Sequence, residues 1–163
     1  ADTILILIYS GFRLNEFLDL TVNSIENGCF KGGSKSNAGK DRIIPIYSKI
    51  ADMVQNRVDR TQNYLITDDG ENKLSAATYY KHYYEVLKLI GTRKTPHEAR
   101  HTFRSLLDSC GANKKCIDLM MGHKSKDVGL RRYTHKTIDE LREAIELIRV
   151  QWTLIFLFIL SLN

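Results

Sequence analysis

The sequence predicts an α+β domain, mainly helical, with one small antiparallel sheet near its N-terminus. Three observations carry that prediction. Apolar residues recur at helical spacing along most of the chain; the stretch from Cys29 to Ile46 switches to short alternating segments broken by glycine turns; and a length of 163 residues bounds the whole at one domain, or one plus a tail. An apolar content of 43% with 26% charged residues excludes a disordered chain. Cys29, Cys110 and Cys116 are odd in number and include no CxxC pair, which supports neither a disulfide framework nor a zinc knuckle and points to a reducing cytoplasm. No basic, apolar and cleavable leader opens the sequence, so secretion has no support.

Residues 2–20 have helical periodicity interrupted at Ser10–Gly11, which predicts two short helices around a tight connection. Ala1–Tyr9 reads as the inside of a helix without a cap, as if the chain began partway into a fold. Arg13 and Glu16 fall three apart on one helix face. Gly32–Gly33 and Asn37–Ala38–Gly39 are turn material, and Arg42–Ile46 is a β-type run, so a small antiparallel sheet with a loop carrying Lys35 and Lys40 is expected. A helix follows over 48–60, and Tyr64–Thr67 before the turn at Asp68–Gly70 reads as a further short strand.

Ser75 is placed to cap a helix reaching Ile90, on which Tyr79/Tyr83 and Tyr80/Tyr84 pair at i,i+4 as packing residues. Pro96 fits the first turn of a helix over about 97–110 that Gly111 ends, and another over 113–121 ends at Gly122. Two more are expected at 126–134 and 137–149. The last has Asp139, Glu140 and Glu143 near its N-terminus, where the helix dipole favours acids.

The formal charge of +5 is unevenly spread: −3 over residues 1–30, +4 over 31–49, −1 over 50–91, +7 over 92–136 and −2 over 137–163. Two basic blocks that met on one face would form the footprint of a phosphate-backbone binder; a solvated lysine-rich surface predicts the same totals.

His97–Glu98–Ala99–Arg100–His101 admits two chemistries. As H-E-x-x-H it places two histidines at i,i+4 for zinc, with the glutamate as general base of a hydrolase. Against that, Pro96 puts His97 in the first turn, Arg100 would bring a cation to the metal, and no third ligand follows nearby. As H-x-x-R it sets His97 and Arg100 three apart at a helix N-terminus, where free N–H groups and a guanidinium fork suit a phosphate. His101 and Arg104 form an overlapping H-x-x-R one turn later.

Five segments in order carry a resemblance. Gly11–Phe12–Arg13–Leu14–Asn15–Glu16, the Lys35 segment SKSNAGKDRIIPI, Thr95–Pro96–His97–Glu98–Ala99–Arg100–His101–Thr102–Phe103, Met121–Gly122–His123 and Tyr133–Thr134–His135 resemble the ordered signature of tyrosine recombinases, the phage integrase family. The likeness spans about residues 1–149. It is greatest toward integrases of phages and conjugative transposons.

The resemblance implies a recombinase catalytic-domain fold, a helical bundle with the small sheet. It also implies an enzyme that cleaves and rejoins double-stranded DNA at att-type sites through a 3′-phosphotyrosyl intermediate. By the same resemblance Arg13 and Arg100 clamp the scissile phosphate and Tyr133 is the nucleophile. His97 is proton acceptor or phosphate ligand, His123 a hydrogen-bond donor to the phosphate, and Lys35 the acid for the leaving 5′-oxygen, with Lys40 the alternative.

Such chemistry suits the residues. The transition state gathers negative charge that fixed cations stabilise, and a phenol with pKa near 10 needs a base or an electropositive pocket. No cofactor is implied, because the phosphotyrosine stores the bond energy. The implied partners are DNA, three further subunits in a tetramer and an accessory excision factor; the implied location is a bacterial cytoplasm, at the nucleoid.

Family members usually carry an N-terminal helical domain that closes a clamp on DNA, and these 163 residues match only the catalytic part. The tail, residues 150–163, contains the apolar run Trp152–Leu162, about 16 Å as a helix, too short for a bilayer that takes about 20 residues. Docking on a neighbouring subunit, packing on its own domain or a frame change each account for it. From a different class, the chain reads as a catalytically inactive DNA-binding or assembly fragment.

Overall fold

The computed structural model describes residues 2–33, 42–123 and 136–149. The expected helix at 126–134, both candidate lysines, Tyr133 and the tail Trp152–Leu162 lie outside them. Within them the expected architecture is present: seven α-helices and a three-stranded antiparallel sheet.

Helix α1 (Asp2–Ser10) presents Ile4, Ile6, Leu7, Ile8 and Tyr9 to the interior, packs along α5 (Pro96–Ser109) and stops at Gly11. Gly11 has φ +61°, and a Cβ there would enter the ring of the fully buried Phe103 on α5. Only glycine meets both demands. The chain turns at Gly11 into the short α2 (Leu14–Leu18), which buries Glu16, Phe17 and Leu18.

Strands β1 (Ile25–Glu26), β2 (Cys29–Gly32) and β3 (Arg42–Pro45) form the sheet in that order. β1 adds to the expected sheet. Asn27 (φ 51°) and Gly28 (φ 68°) make the two-residue turn that pairs Glu26 with Cys29 and Ile25 with Phe30. The β2–β3 register sets Phe30 opposite Ile44 and Gly32 opposite Arg42.

Tyr64–Thr67 is not a strand. It makes one isolated bridge, Tyr64 to Thr21, flanked by Val22 N–H to Asn63 O (2.8 Å) and Leu65 N–H to Leu20 O (2.9 Å). The ladder stops because its partner curls into a 3₁₀ turn over Val22–Ser24. The helix expected at 48–60 is likewise divided, into a 3₁₀ turn at Ser48–Ile50 and α3 (Ala51–Val58).

Helix α4 (Ala76–Leu89) begins at Ser75, whose Oγ accepts from Thr78 N–H at 3.1 Å. It buries Tyr79 and Tyr83 and leaves Tyr80 and Tyr84 exposed and stacked, 5.9 Å between centroids. Helix α6 (Lys114–Met121) ends on left-handed Gly122, φ 65°. Helix α7 (Ile138–Glu146) starts from a capping box in which Thr137 Oγ1 accepts from Glu140 N–H and the Glu140 carboxylate accepts from Thr137 N–H. Tyr47 Oη donates to Ile148 O at 2.5 Å, and Ser48 donates its N–H and hydroxyl to the Glu146 carboxylate, so the C-terminal end of α7 is tied to the chain just after the sheet.

Gly11→Ala is expected to cost about 2–4 kcal/mol, from the left-handed backbone and overpacking against Phe103. Urea unfolding measures it; a loss below 0.5 kcal/mol (order of magnitude, about the surface-substitution range) would show that the α1–α2 corner does not depend on glycine.

Candidate active site

Glu16 organises the site. It is the third residue of α2, and its side chain, 5% exposed, turns back to the helix start, where Oε2 accepts from Arg13 N–H at 3.0 Å. Oε1 accepts from Arg13 Nη1 at 3.0 Å, so the expected Arg13–Glu16 pair forms. Oε2 also accepts from Arg42 Nη2 at 2.7 Å. Burial alone would push the Glu16 pKa up; the Arg13 amide and attraction to Arg42 and Arg13 overcome it, and the carboxyl lies below its ordinary value.

Arg42 and Arg100 occupy the interior. Arg100 is only 4% exposed, with Nη1 donating to Gly11 O at 2.6 Å and Nη2 to Met121 O. Burial, reinforced by repulsion from Arg42 and Arg13, lowers its pKa to about 10, which leaves it a cation at neutral pH. Arg42 Nη1 also donates to Met121 O, at 3.4 Å, and its guanidinium lies 4.6 Å from the centroid of the Phe12 ring. Two guanidinium groups thus contact one carboxylate, and a third, that of Arg100, lies within electrostatic reach of it. Arg13 is the outward member, its side chain 49% exposed, and the surplus positive charge is available to an anion there.

His123 follows the α6 end. Its N–H donates to Asp118 O at 2.9 Å, and its Nδ1 lies 3.6 Å from Asp118 Oδ1. Burial and repulsion from Arg100 and Arg104 push its pKa below the ordinary histidine value, against the pull of Asp118. The imidazole is therefore biased to neutrality beside the arginine cluster.

His97 stands apart from Arg100 in environment: it is exposed in the first turn of α5, edge-on to His101 with centroids 4.8 Å apart. Glu98, the third member of the H-E-x-x-H pattern, is engaged at the helix start, accepting from Thr95 N–H at 2.6 Å and pairing with Lys94 at 3.3 Å. Among the described residues, no three His, Cys, Asp or Glu side chains gather as a metal site.

Of the six residues singled out from sequence, Arg13, Arg100 and His123 meet in this cluster, His97 lies one turn from Arg100 on α5, and Lys35 and Tyr133 are outside the described residues. Sequence reasoning did not single out Arg42 or Asp118. Arg42 shares its strand face with the fully buried Ile44, and a charge in the buried phase of a strand demands a partner.

The family model described as "Phage integrase family" matches residues 2–140. The chain belongs to the phage integrase family. It is 30% identical over 153 residues to the tyrosine recombinase XerA of Pyrococcus furiosus, covering 88% of this chain and 52% of that protein. Against tyrosine recombinase XerC of Pelobacter propionicus it is 28% identical over 152 residues, covering 86% and 48%. The chain therefore spans about half the length of these phage integrase family relatives.

Among solved structures, an XerA recombinase crystal structure superposes with a TM-score of 0.64 at 25% identity over 90% of this chain and 57% of that one. The Tn1549 transposon integrase in complex with circular intermediate DNA gives 0.65 at 24% over 89% and 56%. The integrase from mycobacterium phage Brujita gives 0.69 at 18% over 97% and 55%. The last two establish the shared fold of the phage integrase family.

Because the Glu16 pKa is lower folded than unfolded, its contribution to stability is full above the ordinary value of 4.5 and disappears as pH falls through the folded value. Glu16→Gln should cost about 3–5 kcal/mol at neutral pH, by stranding buried charge, and should flatten the acid side of the stability profile. Equal acid slopes in denaturant titrations of both proteins would contradict an ionised Glu16.

Proposed function

We propose that this chain is the catalytic part of a site-specific DNA recombinase that breaks and rejoins double-stranded DNA to integrate or excise a mobile element. The observation that carries the reading is the pairing of Arg13 and Arg42 with Glu16, with the buried Arg100 within electrostatic reach of all three and of His123, a cationic surplus suited to a phosphodiester. Membership of the phage integrase family and the likeness to a transposon integrase complexed with DNA support the substrate.

In this mechanism Arg13 and Arg100 neutralise the non-bridging oxygens as the pentacoordinate phosphorane forms. The Tyr133 oxygen attacks phosphorus while its proton passes to His97, and His123 donates a hydrogen bond to a non-bridging oxygen. The bond to the 5′-oxygen breaks, and Lys35 gives that oxygen a proton. The products are a 3′-phosphotyrosine and a 5′-hydroxyl, and attack by the hydroxyl of a second strand reverses the step. No nucleotide is consumed, since the phosphotyrosyl bond retains the energy.

Residues 1–149 form the catalytic domain in this reading, and 150–163 a tail that docks on a neighbouring subunit of a DNA-bound tetramer. An accessory protein directs excision. Work on cytoplasmic DNA agrees with the reduced cysteines; among the described residues no helix is long and apolar enough to cross a membrane.

A nicked suicide substrate tests the reading. The chain should form a covalent protein–DNA adduct in EDTA, Tyr133→Phe should form none, and Arg13→Ala should slow it about 10²–10³-fold while leaving the fold intact. DNA binding with no adduct would favour the inactive assembly module, and activity abolished by EDTA the zinc hydrolase.

A further inference from the structure

We propose that Arg42 is a positioning residue that sets the geometry of the arginine clamp, a role that rests on the recombinase reading above. Arg42 opens β3, opposite Gly32 on β2. Its Nη2 reaches Glu16 Oε2 on α2, its Nη1 reaches Met121 O on α6, and its face covers the Phe12 ring. One side chain therefore joins three elements, each of which holds a different part of the site. Glu16 fixes Arg13, the Met121 carbonyl also fixes Arg100, and His123 lies two residues past Met121.

The side chain is 4% exposed, so it acts on DNA only through these neighbours. That a cation occupies this buried position is informative. A buried ion pair is seldom more stabilising than well-packed aliphatic residues of the same volume, and Arg42 Nε is buried with no hydrogen-bond partner among the described residues. Stability alone would be served as well by methionine on this strand face. What methionine cannot do is donate to Glu16 Oε2 and to the Met121 carbonyl at once. The planar two-pronged guanidinium spans both acceptors, whereas a lysine ammonium, a point charge on a flexible stem, reaches one.

Single-turnover adduct formation on the nicked substrate, measured against DNA concentration for the whole chain, tests this. Arg42→Met should leave the half-saturating DNA concentration within about twofold, since Arg42 does not touch DNA, and lower the saturating rate about 10²-fold, the cost of misplacing a clamp by an ångström. Arg42→Lys should recover part of that loss. Combined with Glu16→Gln, Arg42→Met should slow the reaction no further than the slower single variant, because the two act as one unit. A side chain serving only the fold would lower the melting temperature while the folded fraction reacted at the wild-type rate.

If Arg42→Met does not fold, Arg42→Lys decides: a reduced saturating rate at unchanged half-saturation supports the role, and a wild-type rate overturns it. Wild-type rates in both variants overturn the positioning role while the wild-type adduct upholds the recombinase. No adduct from wild type with bound DNA overturns both.

Discussion

The structure turns on a buried carboxylate that serves more cations than it can neutralise. Glu16 compensates one guanidinium in full, yet it accepts from Arg13 and Arg42, and the buried Arg100 has only carbonyl oxygens as partners among the described residues. In isolation such an arrangement is costly, since desolvated like charges repel and the repulsion shows in the lowered pKa of Arg100. The cost is tolerated because dipoles substitute for the missing counterion. The arrangement also leaves a net positive charge at the exposed Arg13, a setting that attracts anions.

Those dipoles are helix ends. Gly11 and Met121 sit where α1 and α6 terminate, and the last carbonyls of a helix lack intrahelical donors and carry its negative partial charge. Arginine donors complete both termini. The glycines at these ends are part of the same device: Gly11 lets α1 close against Phe103, and left-handed Gly122 terminates α6 while leaving Met121 O turned toward the cluster. Arg100 is thereby located by backbone, which holds its position more firmly than a flexible surface carboxylate could.

Most elements were legible because their signals are local. Ser75, Pro96 and Gly122 announced helix boundaries that the structure keeps within about a residue, and the i,i+3 spacing of Arg13 and Glu16 announced their pair. The turn Asn27–Gly28 marks β1 by a signal of the same local kind. Tyr64–Thr67 failed for a non-local reason: a strand needs a partner, and the partner's 3₁₀ turn at Val22 is not written in the strand. The site was legible as residues and illegible as an arrangement. Arg42 lies 26 positions from Glu16 and 79 from Met121, and no periodicity joins residues so far apart.

The H-E-x-x-H segment shows how burial divides what spacing leaves ambiguous. Spacing alone permits zinc ligation by His97 and His101 or phosphate contact by His97 and Arg100. In the folded chain Glu98 is drawn back to Thr95 N–H by the N-terminal dipole of α5, so it is engaged as a cap instead of lying ready as a base. Arg100, two positions later, points inward where its guanidinium closes two helix ends, and His97 stays in solvent. The same helix start therefore performs two separable tasks. Its exposed turn presents a titratable group to whatever binds, and the turn beneath supplies a fixed charge. The first two turns of α5 thus carry one exposed imidazole and one buried guanidinium, three apart in sequence and separate in environment.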